Sequence, residues 1–257
     1  MFTITTQQLA EAIHTLLWPL ARIMACIGLV PLFNNRSIPQ RVKIGMGIMI
    51  TLVVTPMLPP MPQVALGSAE GLLILAQQIL IGAAVGFAMR IVFSSIELAG
   101  DLIGLQMGLG FAVFYSPNAN ANLPVLAQIF SMVALLMLLA MNGHLMIIEV
   151  IVRSFEFLPI DMGLGQGINV EGLARVAGLI FSTGLLLALP MVVTLFIVNL
   201  SLGVLTRAAP QLNLFAVGFP ITLALGIFLV SIAMPTIGFL MQQILDRAIE
   251  AMAMVLR

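Results

Sequence analysis

Long apolar runs with almost no charge inside them constrain this chain more than any other feature. A helix needs about 20 mostly apolar residues to cross a bilayer, and most of these runs approach or exceed that length. They lack the alternation of two that membrane β-strands show, so helices are favoured. The apolar runs are residues 9–33, 44–58, 72–93, 98–114, 125–152, 176–205 and 212–241.

The scarcity of charged residues also indicates a protein that lies in a membrane. Only 8% of the 257 residues are charged and the mean hydropathy is +1.18, whereas about a quarter of a soluble domain is charged. We therefore predict an all-α integral membrane protein in contact with lipid. The zero net charge argues against nucleic-acid binding, which needs a basic face.

The sequence offers no catalytic constellation. Its single cysteine, Cys26, excludes an internal disulfide and a thiolate metal site. No HExxH motif is present, and no serine has a His and an Asp at a persuasive spacing. The glycine-rich residues 163–167 lack the Lys and Ser/Thr of a phosphate-binding loop. We expect a protein that is not an enzyme and has no cofactor or metal.

Charges in the connections predict an orientation. Residues 34–43 contain three basic and no acidic side chains, whereas residues 56–70 and 155–172 contain only acidic charges. The positive-inside rule places the first connection in the cytoplasm and the other two outside. Placing residues 206–211 in the cytoplasm as well requires that one apolar run does not cross. The basic residues expected on the cytoplasmic side are Arg36, Arg41, Lys43 and Arg207.

Residues 100–128 are the candidate for that exception. The segment begins with glycines at every fourth position and continues into aromatic residues and an uncharged Asn-rich stretch between two prolines. Residues before proline avoid the helical conformation, so this stretch is predicted to be a loop. It is either a surface loop or a re-entrant loop that lines a watery cavity, and the orientation above favours the second reading.

Glycines at four-residue spacing predict close contacts between helices. They are Gly82, Gly86, Gly100, Gly104 and Gly108.

Ionisable residues inside apolar runs must pair or face water. Glu97 and Asp101 share a helix face because they are four residues apart, and Arg90 lies near that face. A proton relay or an ion site is one interpretation, but charge pairing within the chain or between subunits is preferred.

The chain resembles the FliR family of flagellar type III export proteins over essentially its full length. The resemblance is carried by residues 21–45 (ARIMACIGLVPLFNNRSIPQRVKIG), 100–128, 142–160 and 202–221 (LGVLTRAAPQLNLFAVGFPI). It implies tilted helical hairpins, with a FliP-like part at about 1–175 and a FliQ-like hairpin at about 176–257.

The resemblance also implies a function. The chain would form, with FliP and FliQ, an export gate for unfolded flagellar proteins in the inner membrane at the flagellar basal body, with FlhB in contact and FlhA nearby. A secondary transporter of small molecules is the alternative, although the sequence shows no inverted repeat or polar substrate site. A purely structural scaffold is another alternative. The family's plug maps onto residues 110–122. The implied plug residues are Gly110, Phe111, Phe114, Tyr115, Ser116, Pro117, Asn118, Asn120 and Asn122.

Overall fold

The computed structural model describes residues 6–35, 37–59, 61–62, 64, 67–110, 124–160, 170–209 and 214–254, and every regular element among them is helical. The helices are α1 (Thr6–Leu29), α2 (Gln40–Val54), α3 (Ala69–Gln106), α4 (Val125–Ala140), α5 (Gly143–Phe157), α6 (Val170–Ala208) and α7 (Leu214–Met254), with a 3-10 helix at Thr55–Met57.

Three helices are long and apolar enough to cross a membrane. Their spanning parts are Ala69–Gln106, Ser182–Ala208 and Val217–Arg247. The α4 and α5 helices pass the same test together, as a broken span or a re-entrant loop. The prediction of an all-α membrane protein is confirmed, with three to four such helices in the part of the chain that the structure describes.

One helix covers the first of two predicted runs and the beginning of the second. We predicted separate runs at residues 72–93 and 98–114, but α3 continues through the polar residues between them. The segment Ser94-Ser95-Ile96-Glu97 contains neither glycine nor proline, and the Ser95 hydroxyl donates a hydrogen bond to the Val92 carbonyl at 2.7 Å. Polarity alone therefore did not end the helix.

The run at residues 125–152, predicted as one stretch, forms two helices. It is divided at Met141 and Asn142, because Asn142 has the left-handed conformation with φ 57°. Asparagine is one of the few residues that tolerate this conformation.

Three prolines lie inside the continuous helices formed by the last two apolar runs. The α6 helix extends through Pro190 and α7 through Pro220 and Pro235. Membrane helices tolerate proline where neighbouring groups satisfy the freed backbone.

The chain divides into two compact units. The first unit contains residues 1–91, 142–177 and 247–257, and the second contains residues 92–141 and 178–246. In the first unit α3 packs on α1 at two glycines. A Cβ at Gly82 would collide with the Arg22 carbonyl oxygen, and one at Gly86 would lie 2.7 Å from the Cys26 carbonyl oxygen.

The second unit is also built on glycine contacts. A Cβ at Gly100 of α3 would lie 2.5 Å from the Cα of Ala127 in α4. A Cβ at Gly184 of α6 would lie 2.7 Å from the Ser95 carbonyl oxygen. These approaches bring α4 and α6 against the later part of α3.

Candidate functional site

The end of α3 lies directly before the segment singled out in the sequence. Gly108 adopts φ 84°, a left-handed conformation that glycine reaches without strain. The Gly108 N–H donates to the Leu105 carbonyl at 3.1 Å, and the Leu109 N–H donates to the Gly104 carbonyl at 3.0 Å. This pair of hydrogen bonds is the Schellman arrangement that ends a helix.

Two carbonyl oxygens at this helix end are bonded by side chains from other helices of the second unit. The Asn199 side-chain amide of α6 donates to the Gln106 carbonyl at 3.0 Å and lies 3.3 Å from Gln106 Oε1. The Thr222 hydroxyl of α7 lies 3.2 Å from the Met107 carbonyl oxygen and 3.1 Å from the Phe219 carbonyl oxygen. We call Asn199 and Thr222, with the Gln106 and Met107 carbonyls that they bond, the α3-end latch.

The Met107 side of this helix end is packed tightly. Met107 is 2% exposed and Thr222 is 4% exposed. A Cβ at Gly226 of α7 would lie 2.7 Å from Met107 Sδ. The Met107 carbonyl is thus shielded from water and depends on a protein donor, whereas Gln106 and Asn199 are half-buried.

The acidic pair of α3 lies in the second unit. Glu97 accepts a hydrogen bond from the Ser131 hydroxyl at 3.1 Å. The Asp101 carboxyl has a buried Oδ1 that receives no hydrogen bond from the described residues. Arg90 belongs to the first unit and is exposed. The charge pairing proposed for these three residues stays a prediction.

The first unit contains a buried arginine. Arg22 of α1 is 1% exposed, and its Nε donates to Gln78 Oε1 of α3 at 2.8 Å. Its other nitrogens donate to the carbonyls of Ser154 and Leu158, each at 2.8 Å. The guanidinium carbon also lies 4.1 Å from the centroid of the Phe155 ring. The cation therefore binds the C-terminal end of α5, where the helix dipole is negative.

Within the described ranges, no three His, Cys, Asp or Glu side chains lie close enough together to hold a metal ion.

Comparison with known proteins places the chain in a family. The profile of the bacterial export proteins, family 1, matches residues 13–248. The chain is a member of the bacterial export proteins, family 1.

Its relatives in this family include flagellar proteins from several bacteria. The chain is 44% identical to the flagellar biosynthetic protein FliR of Escherichia coli (strain K12), over 93% of this chain and 91% of the relative. It is 41% identical to the FliR of Pectobacterium carotovorum subsp. carotovorum over 100% and 98%, respectively. For the FliR of Bacillus subtilis (strain 168) the identity is 26%, over 90% of each chain.

This export-family protein is a membrane-embedded subunit of the flagellar type III export apparatus, and it associates with other proteins of that apparatus. The resemblance to the FliR family is confirmed. Membership in this family favours a function in protein export over the secondary-transporter alternative.

Some of the predicted site residues lie outside the described residues. They are Arg36 and the plug residues Phe111, Phe114, Tyr115, Ser116, Pro117, Asn118, Asn120 and Asn122. Gly110, the first plug residue, is described and lies three positions after Met107 of the α3-end latch. The basic residues Arg41 and Arg207 are exposed, and the Lys43 ammonium donates to Asn34 Oδ1 at 3.3 Å.

Sequence reasoning did not find the partners of the polar residues in the export-family protein. Arg22 and Ser154 are 132 positions apart, and Met107 and Thr222 are 115 apart. No local spacing links residues at such separations. The available signal was a polar side chain inside an apolar run, which marks Arg22, Gln78, Asn199 and Thr222 as residues that need partners.

Proposed function

We propose that this chain forms, together with FliP and FliQ, the channel that passes unfolded flagellar proteins through the inner membrane at the flagellar basal body. FlhB contacts the assembly on its cytoplasmic side and FlhA lies nearby. Residues 1–175 form a FliP-like part and residues 176–257 form a FliQ-like hairpin. Membership in the bacterial export proteins is the observation that carries the proposal.

The exposure of the C-terminal helices supports assembly with other apolar chains. Only 22% of the most apolar stretch of Ser182–Ala208 and 17% of that of Val217–Arg247 is buried within the chain. Large apolar side chains such as Leu186, Leu200 and Ile232 are each more than 60% exposed. Such surfaces must face lipid or neighbouring subunits, because exposing large apolar side chains to water is unfavourable.

We assign the role of a channel plug to residues 110–122. The α3 helix ends at a Schellman motif directly before them, so the main chain leaves the helix at a defined place. Phe111, Phe114 and Tyr115 supply bulk, and the Asn residues satisfy main-chain groups without burying a charge. At rest the plug blocks ions, and an arriving unfolded chain displaces it.

An ion-leak measurement tests the channel function. Residues 110–122 are deleted from the chain, and the variant is expressed with its partner subunits. We expect the assembly to form and the membrane to become leaky to small ions. Phe239→Ala is the matched control for loss of an aromatic side chain, since Phe239 is 60% exposed on α7. An unchanged leak in a correctly assembled particle would contradict the assignment of residues 110–122 as a plug.

A further inference from the structure

The α3-end latch completes the hydrogen bonding of a helix end that lies between apolar helices. The last carbonyls of a helix have no partner within the helix. Here the Ile103, Gly104 and Leu105 carbonyls accept bonds from the three main-chain N–H groups that follow α3, at 3.0 to 3.1 Å. The Gln106 carbonyl instead accepts a bond from Asn199, and the Met107 carbonyl shares the single hydroxyl hydrogen of Thr222 with the Phe219 carbonyl.

These two bonds depend on the positions of two other helices. Asn199 belongs to α6 and Thr222 belongs to α7. If α7 moved away, the buried Met107 carbonyl would lose its donor. If α6 moved away, the half-buried Gln106 carbonyl would lose its side-chain donor. An unsatisfied main-chain group inside a membrane protein is costly. The conformation of the α3 end is therefore tied to the placement of both C-terminal helices.

The packing at this point adds to that dependence. The Met107 side chain lies on Gly226, where any Cβ would collide with it. Gly226 is one turn after Thr222 on α7, so the same face of α7 provides the hydroxyl and the space for Met107. A small displacement of α7 would disturb both contacts at once.

We propose that Asn199 and Thr222 are positioning residues that hold the end of α3 in the conformation of the closed channel. The inference rests on the proposed channel function and deepens it, because it names the contacts that set how tightly the channel is closed. Loss of the donor to Gln106 or Met107 should therefore weaken the closure.

The experiment compares hydroxyl and amide removals in the full chain, assembled with its partner subunits. Thr222→Val keeps the shape of the side chain and removes the hydroxyl, whereas Thr222→Ser keeps the hydroxyl. Asn199→Leu removes the amide donor. Thr194→Val is the matched control, because the Thr194 hydroxyl is exposed and bonds Pro190 within α6 itself at 2.8 Å. Copurification of the partner subunits verifies assembly for each variant.

We expect Thr222→Val and Asn199→Leu each to raise the ion leak by about tenfold, the factor that corresponds to loss of one net hydrogen bond from the closed state. Thr222→Ser and Thr194→Val should leak as the unsubstituted chain does. When residues 110–122 are also deleted, Thr222→Val and Asn199→Leu should not raise the leak above that of the deletion alone. A purely structural role would not give this dependence on the deletion.

Three results separate the latch from the channel itself. If the deletion leaks while Thr222→Val and Asn199→Leu do not, the latch is wrong and the channel function stands. If the deletion does not leak, the plug assignment and the latch that rests on it are both wrong. If both latch variants fail to assemble, the side chains serve folding rather than closure, and the inference is overturned.

Discussion

The Arg22 guanidinium and the Gln78 side-chain amide form a hydrogen bond of 2.8 Å between α1 and α3, two helices that are 56 positions apart at these residues. The same guanidinium donates to the end of α5. Its hydrogen-bond acceptors are all uncharged groups, and its charge is further stabilised by the Phe155 ring. One buried cation thus joins three helices of the first unit.

Replacing Arg22 should destabilise the protein strongly. Arg22→Met leaves Gln78 Oε1 and the Leu158 carbonyl without their donor, which we expect to cost about 3 kcal/mol or more. Arg22→Lys should recover little, because a single ammonium group cannot reproduce the planar fork of a guanidinium. The measurements are the yield of the assembled complex and its Tm in detergent.

Arg153→Met is the matched control for the loss of an arginine. Arg153 is 61% exposed and pairs with Glu149 on the same helix at 2.7 Å, so its loss should cost no more than ~0.5 kcal/mol. The double variant Arg22→Met, Gln78→Leu should regain part of the stability, since it removes both polar partners. An Arg22→Met chain with unchanged yield and Tm would contradict this assignment.

Adding a methyl group at a close helix contact should disrupt packing. In Gly100→Ala the new Cβ would meet the main chain of Ala127, which cannot move as a flexible side chain can. We expect a loss of roughly 1–3 kcal/mol from overpacking, seen as a lower Tm. Gly203→Ala is the control, because a Cβ at Gly203 of α6 has nothing within 4 Å. Equal Tm values for the two variants would contradict the contact.

Sequence reasoning predicted the class of this fold and missed several of its boundaries. Long apolar runs identified helices because a bilayer leaves few other solutions. Hydropathy could not show that Ser94 and Ser95 lie inside one helix, since serine hydroxyls can bond the preceding turn. It also could not show the break at Asn142, which depends on one left-handed residue.

The candidate site was predictable only in part, for a related reason. Glycines and prolines report on the local main chain, and they correctly indicated that a helix ends near this segment. The sequence predicts a loop at residues 117–124 and a helix-packing role for Gly108, whereas α3 ends at Gln106 and Gly108 is left-handed. The donors that complete this helix end, Asn199 and Thr222, come from helices about 90 or more positions away. A single sequence contains no periodicity that connects them.

The left-handed conformation of Gly108 leads to a graded prediction. Gly108→Val should be more harmful than Gly108→Ala, and Gly108→Asn should be tolerated best, because asparagine enters the left-handed region more readily. We expect a penalty of about 1–2 kcal/mol for alanine, measured as a lower Tm of the assembled complex. Equal Tm values for the valine and asparagine variants would show that φ at this position is not required.

A substitution of Asp101 tests whether this residue takes part in charge pairing or in a proton relay. Oδ1 of Asp101 receives no hydrogen bond from the described residues. Asp101→Asn therefore removes the negative charge without breaking a hydrogen bond to that atom. We expect assembly and export of flagellar proteins to continue in this variant. Loss of export with normal assembly would instead favour the proton-relay interpretation.

The central claim is that this chain functions inside a gate built with FliP and FliQ. The direct measurement is affinity purification from native membranes of the chain tagged at its C-terminus, followed by native mass measurement of the particle. We expect one stable particle that contains FliP-like and FliQ-like proteins. A lone monomer or homodimer that is stable in detergent would contradict it.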